Sequence, residues 1–192
     1  MKQRDNDIAE PLVAAAAVVL GRDGLGGLNL SAVAQQAGCS RVTLHRNGVS
    51  VGALVAAVVA RAADDLRTSL WSELNGHGSA AERMEGALHT LCDVVERHRR
   101  VLAALFHAPE RPHPVASGRT TGFDFSEPFE RLLLDGRLDG TLHSAAPAED
   151  AELLVNTVTW TYVHLRLAHR WPARRAAARV VAMSCAGLRI PA

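Results

Sequence analysis

Apolar side chains recur three and four residues apart along most of this chain, and nowhere do they alternate with polar ones between turn signals. That pattern predicts an all-α protein. Asn6, Asp7, Glu10 and Pro11 supply the capping side chains, early acid and first-turn proline of a helix start. The alanine-rich run from Leu12 to Leu20 follows, and Gly21 and Gly24 are expected to stop it. Gly24, Gly26 and Gly27 then form a short connection. Asn29 can cap a second helix, Leu30 to Ala37, in which Leu30, Val33, Ala34 and Ala37 share one face. Gly38 ends that helix, as a glycine just past the last periodic residue commonly does. Ser40 can cap a very short third helix running to about Arg46. Asn47 and Gly48 break it, and Ser50 can cap a long fourth helix reaching about Leu74.

The rest of the chain repeats the helical period. Ser79 to Arg99 carries Met84, Leu88, Leu91 and Val95 on one face, and Arg100 to His107 reads as a short helix ended by Pro109. From Pro109 to Pro128, Pro, Gly, Ser and Thr dominate, which predicts a long loop. Phe129 to Leu138 is a short helix and Pro147 to about Arg170 a long one. Pro172 starts a last helix that ends near Leu188.

Composition narrows the class. With 192 residues, 48% of them hydrophobic, the chain can bury a real core, which a disordered sequence could not. The formal net charge of +1 excludes a global polycation, so any nucleic-acid contact must come from a local surface. Cys39, Cys92 and Cys185 are too far apart for redox or metal-ligand spacing, and their odd number is unlike a disulfide framework. The polar amino-terminal stretch and the short apolar run after it contain no signal or membrane-spanning pattern, so the chain is expected in the cytoplasm, with no membrane partner.

The informative segment is Asn29 to Gly48: helix, glycine turn, helix. Such a helix-turn-helix presents its second helix to the DNA major groove. In that helix Val42 lies on one side, and Leu44 can face either the core or a thymine methyl. Arg41, Thr43, His45 and Arg46 can hydrogen-bond to bases or phosphates. Ser31, Gln35, Ser40 and Ser50 complete the predicted DNA-contacting set. From Gly24 to Ala63 the chain holds Arg41, Arg46 and Arg61 and no carboxylate, as a surface meeting phosphates requires.

The stretch from Ile8 to Leu66 resembles the amino-terminal domain of the TetR family of transcriptional repressors, through Val33, Ala34, Ala37, Gly38, Cys39, Ser40, Thr43, Leu44 and Leu54. The resemblance implies a three-helix DNA-binding domain over residues 1–50, then a larger helical body over 51–192 that binds an effector and dimerises. Family members usually carry a small residue at Val42, Tyr at His45, a bulky apolar residue at Gly48 and Lys at Val51. These departures imply either weaker operator binding than is typical or greater reliance on Arg41, Arg46 and the backbone amides at Ser50.

For the body, the resemblance implies a homodimer through the last two helices, with Leu154, Val158, Tyr162, Leu165, Val180 and Met183 at the interface. The expected effector is small and lipophilic, lined by Met84, Leu88, Leu91, Cys92, Phe106, Phe125, Phe129 and Trp160, with His107 or His164 as polar handle. No catalytic constellation frames any serine, and the glycines of Gly21 to Gly27 lack the strand and the Lys-Ser/Thr of a phosphate loop. His164 and His169 stand five apart, not the three or four that put two ligands on one helical face. Neither an enzyme activity nor a cofactor or metal is therefore expected. The reading is a ligand-responsive DNA-binding regulator, a repressor released from a pseudo-palindromic operator by its effector. A helical small-molecule-binding protein without operator binding is the alternative that Gly48 and Val51 motivate.

Overall fold

The computed structural model describes residues 8–106 and 125–190. These residues form helices α1 (Glu10–Gly27), α2 (Leu30–Ala37), α3 (Arg41–Arg46), α4 (Val51–Ser69), α5 (Trp71–Asn75), α6 (Ala80–Phe106), α7 (Glu127–Asp139), α8 (Pro147–Leu167) and α9 (Ala173–Ala186). Among the described residues the only β pairing is an isolated antiparallel bridge between Leu142 and Arg189. Asn6, Asp7 and most of the Pro109–Pro128 stretch lie outside the described residues.

The chain divides into two compact units, Met1–Ala62 with Arg100–Gly122, and Ala63–Arg99 with Phe123–Ala192. Both α4 and α6 run unbroken through the division. The expected division at residue 50 falls before α4, whereas the contacts of the first unit extend to Ala62 and take in the segment from Arg100.

The first unit is closed by Val13, Ala16, Val19 and Leu20 of α1, Val33 and Ala34 of α2, Leu44 of α3 and Leu54 and Val58 of α4, all buried. Full burial of each larger side chain contributes about 1.5–3 kcal/mol relative to exposure. Gly21 does not stop α1. A Cβ there would stand 3.1 Å from the Arg100 Cβ, so this glycine serves close approach to α6. The break comes at Gly24, whose φ of 71° and ψ of −178° kink the helix before a final turn to Gly27.

Gly48 has a backbone role too. With φ +69° it closes α3: its N–H donates to His45 O (3.0 Å), and the Val49 N–H reaches Leu44 O (3.1 Å). A β-branched residue is poorly tolerated in this left-handed conformation. Gly48→Val is therefore expected to lower stability by about 1–3 kcal/mol, and Gly48→Asn by less. Urea denaturation followed by helical circular dichroism checks the order.

The second unit packs Leu66, Leu70, Met84, Leu88, Leu91, Phe129, Leu132, Leu133, Tyr162 and Val181 into its core. The start of α6 is held by a capping box: Ser79 N–H donates to the Glu82 carboxylate (2.8 Å), and Glu82 N–H to Ser79 Oγ (3.3 Å). The next two amides donate across the unit, Ala80 N–H to Asp139 (2.7 Å) and Ala81 N–H to Thr141 Oγ1 (3.2 Å). They satisfy donors that a helix start otherwise leaves unpaired.

Three sequence-based boundaries move. The fourth helix ends at Ser69 rather than Leu74, with fully buried Leu70 at the turn into α5. The two helices expected to meet at Arg99–Arg100 are one, α6, since neither Gly nor Pro interrupts the chain there. Helix α8 ends at Leu167 rather than Arg170, because Arg170 turns the chain at φ 53°.

Candidate nucleic-acid interface

Each end of the helix-turn-helix is fixed by a local hydrogen bond. Asn29 Oδ1 accepts the Ala32 N–H (3.0 Å) at the start of α2. At its end Gly38 adopts φ 68°, ψ 27°, and the Cys39 N–H folds back to Ala34 O (2.9 Å). Ser40 Oγ accepts the Thr43 N–H (3.1 Å) and shares a 2.8 Å hydrogen bond with the Thr43 hydroxyl. Ser50 Oγ accepts the Ala53 N–H (3.1 Å), which starts α4. The caps expected from Asn29, Ser40 and Ser50 are thus all formed.

Within α3 the faces separate cleanly. Leu44 is 1% exposed, which corrects its place in the predicted contact set: it anchors α3 to the core and reaches no ligand. Val42, at 66% exposure, is the apolar side chain presented outward. Arg41, Thr43, His45 and Arg46 are exposed beside it, as are Ser31 and Gln35 on α2, Ser40 and Ser50. Arg61 pairs with Glu10 and is not part of this surface charge. Arg41 and Arg46 make no ion pair among the described residues, so their guanidinium donors face solvent. The arrangement can offer bidentate donors, hydroxyls and one methyl-contacting side chain to a groove, with no acid nearby in sequence to repel phosphates.

In the second unit the predicted lining residues Met84, Leu88, Leu91, Cys92 and Phe129 are closed core, each no more than 3% exposed. Burial first, and then Asp93, pushes the Cys92 thiol up to about 12, which makes it a packing group rather than a nucleophile. Phe125 and Trp160 are half-buried. His164, one of the two expected polar handles, is exposed. His107 and the Phe106 side chain lie outside the described residues. Leu154, Val158, Tyr162 and Val180, expected at a dimer seam, are buried within the chain's own packing; Leu165 is half-buried and Met183 is 72% exposed.

The polar centre of this unit was not anticipated. Glu96 of α6 accepts from the Tyr162 hydroxyl (3.0 Å), from Arg166 Nε (2.9 Å) and Nη2 (2.7 Å), and from Arg99 Nη1 (2.9 Å). Arg166 also donates to the Trp171 carbonyl. The Arg166 hydrogen bonds, opposed by burial and aided by Tyr162, hold the Glu96 carboxyl below its ordinary range. Asp65 of α4 forms a second centre with Arg97 (3.0 Å) and His98 (2.9 Å), and Arg97 above all keeps it ionised. Apart from Glu96 with Arg99, three residues on, these pairs lie some 30 to 70 residues apart in sequence, beyond any local pattern.

No family model matches the sequence, and no curated protein matches it either. Solved structures do. SmeT, the repressor of the Stenotrophomonas maltophilia multidrug efflux pump SmeDEF, is 18% identical, with a TM-score of 0.73 over 97% of this chain and 93% of its own. A regulator of the TetR/AcrR family from Thermobifida fusca is 18% identical, with a TM-score of 0.68 over 92% and 95%. The ketosteroid transcriptional regulator KstR2 of Mycobacterium tuberculosis is 16% identical, with a TM-score of 0.67 over 96% and 97%. The chain shares the fold of these regulators over more than nine tenths of its length.

Proposed function

We propose that this chain is a TetR-type transcriptional regulator that binds operator DNA as a homodimer and responds to a small molecule held in its helical body. The observation that carries the reading is the surface of α3, where Arg41, Thr43, His45 and Arg46 stand exposed around a Leu44 anchor on a carboxylate-free stretch. The shared fold supports it. Two such helices, one per protomer, would enter successive major grooves of a pseudo-palindromic site.

For the dimer seam, the exposed faces of α8 and α9 favour a different set from the one expected. Leu153 is 66% exposed, and Thr157 and Thr161 follow it at four-residue steps; Ala178, Ala182 and Met183 are exposed on α9. These positions carry no charge, so a second copy can cover them without desolvating an ion. The effector would be uncharged or lipophilic, because the surrounding side chains are apolar. Since they are closed against one another, a ligand entering among them must open the packing. It would release DNA by preferring the opened form, a population shift that makes the protein a repressor.

Fluorescence anisotropy against tiled DNA from upstream of the chain's own gene, at two salt concentrations with random duplex as competitor, tests the reading. One tile should bind well above random, and its affinity should fall steeply with salt as phosphate contacts lose their counterion advantage. On that tile Arg41→Ala and Arg46→Ala should each weaken binding by about 1–3 kcal/mol. Binding that stays unchanged in both variants would remove α3 as the reader.

A further inference from the structure

We infer that His164 and His169 form a two-imidazole site for a borderline divalent metal ion such as zinc, at the corner between α8 and α9. The two residues are five apart, a spacing that separates side chains on a continuous helix. Here the helix ends first. Ala168 and His169 both donate their N–H groups to the His164 carbonyl, at 2.9 and 3.4 Å, and Trp171 N–H donates to Leu165 O at 3.0 Å. Arg170 then takes φ 53°, the only left-handed non-glycine backbone among the described residues. This strained turn brings His169 back over His164.

The resulting geometry is that of a chelate. The Nε2 atoms stand 3.1 Å apart and the rings meet edge to face at 74°. Metal–imidazole bonds of about 2.0–2.1 Å from two nitrogens so spaced would subtend roughly 95–102° at the metal, and a slight parting of the rings opens that to the tetrahedral angle of zinc. Both side chains are exposed in the single chain. A metal held by both Nε2 atoms needs both imidazoles neutral with their remaining proton on Nδ1, so any proton shared between the two Nε2 atoms shifts to Nδ1 of its own ring on binding. The chemistry of the surroundings selects the ion. No carboxylate occurs in the sequence between Leu153 and Ala192, and Glu96, which reaches this end of α8, is taken up by Arg166 and Tyr162. Magnesium and calcium, which need oxygen ligands, are disfavoured, whereas zinc, nickel and copper accept neutral imidazole. Among the described residues no cluster of three or more ligating side chains competes for the ion.

Calorimetric titration of the chelator-stripped full chain with zinc chloride tests the site. One zinc per chain should bind with the highest affinity, and the His164 and His169 imidazole resonances should shift together in NMR spectra. His164→Ala and His169→Ala should each weaken that site at least about tenfold, because each leaves a single tethered ligand. His89→Ala and His143→Ala, at exposed histidines elsewhere, should leave it unchanged. Circular dichroism confirms that all four variants keep their helices. Zinc affinity that survives either His164→Ala or His169→Ala would overturn the proposal, as would an effect of the two control substitutions equal to theirs.

Discussion

Leu44→Ala is expected to lower stability by about 2–5 kcal/mol, the range for emptying a fully buried leucine site. Its side chain is 1% exposed and is the only buried one in α3, a six-residue helix too short to persist without tertiary support. The caps at Ser40 and Gly48 orient that helix but cannot hold it down. Loss of the anchor should therefore abolish the proposed DNA binding through loss of α3, without touching any group proposed to meet DNA. Val42→Ala is the contrasting control. At 66% exposure Val42 contributes little to folding, so its removal should leave the urea midpoint almost unchanged and, on the proposed function, alter only binding to DNA that offers a thymine methyl. Equal destabilisation by the two substitutions would contradict the assignment of faces on α3.

Glu96→Ala should cost about 2–4 kcal/mol, because it leaves Arg166 and the Tyr162 hydroxyl partly buried without their acceptor. Arg166→Ala and Tyr162→Phe act on the same carboxylate, so their effects combined with Glu96→Ala should be far from additive. The network also fixes a pH dependence. Glu96 and Asp65 have folded-state pKa values lowered mainly by Arg166 and Arg97, respectively. Their stabilisation is fully present above the ordinary carboxylate range and is lost as pH falls through that range toward the folded values. Denaturation midpoints measured from pH 7 downward should fall less steeply in Glu96→Gln than in the unaltered chain.

How much of this was legible in the sequence depended on distance along the chain. Asn29, Gly38, Ser40 and Ser50 act on amides within five residues, so residue type and position sufficed to place α2, α3 and the start of α4. Gly21 misled because a glycine at a helix end and one admitting a neighbouring helix look alike until Arg100 is seen beside it. The orientation of Leu44 followed from core packing, which a six-residue helix cannot announce through its period. Glu96, Tyr162 and Arg166 escaped for the same reason: α6 and α8 meet only in three dimensions. His164 and His169 were set aside on a spacing rule that assumes an unbroken helix, and the turn at Arg170 is where that assumption fails.

The bridge at Leu142 and Arg189 predicts a late step in folding. His143 N–H donates to Leu188 O (2.7 Å), Ile190 N–H donates to Thr141 O (3.4 Å), and Arg189 pairs with Glu85. Thr141 in turn accepts from the first turn of α6, so these contacts tie together segments more than a hundred residues apart. Pairings of such separation form late, because the loop they close must be searched first. The helix-turn-helix, by contrast, rests on contacts between near neighbours and can take shape while the body is still being made. A ribosome stalled before residue 188 would hold a nascent chain whose α2 and α3 are already formed and whose body still exposes apolar surface to chaperones.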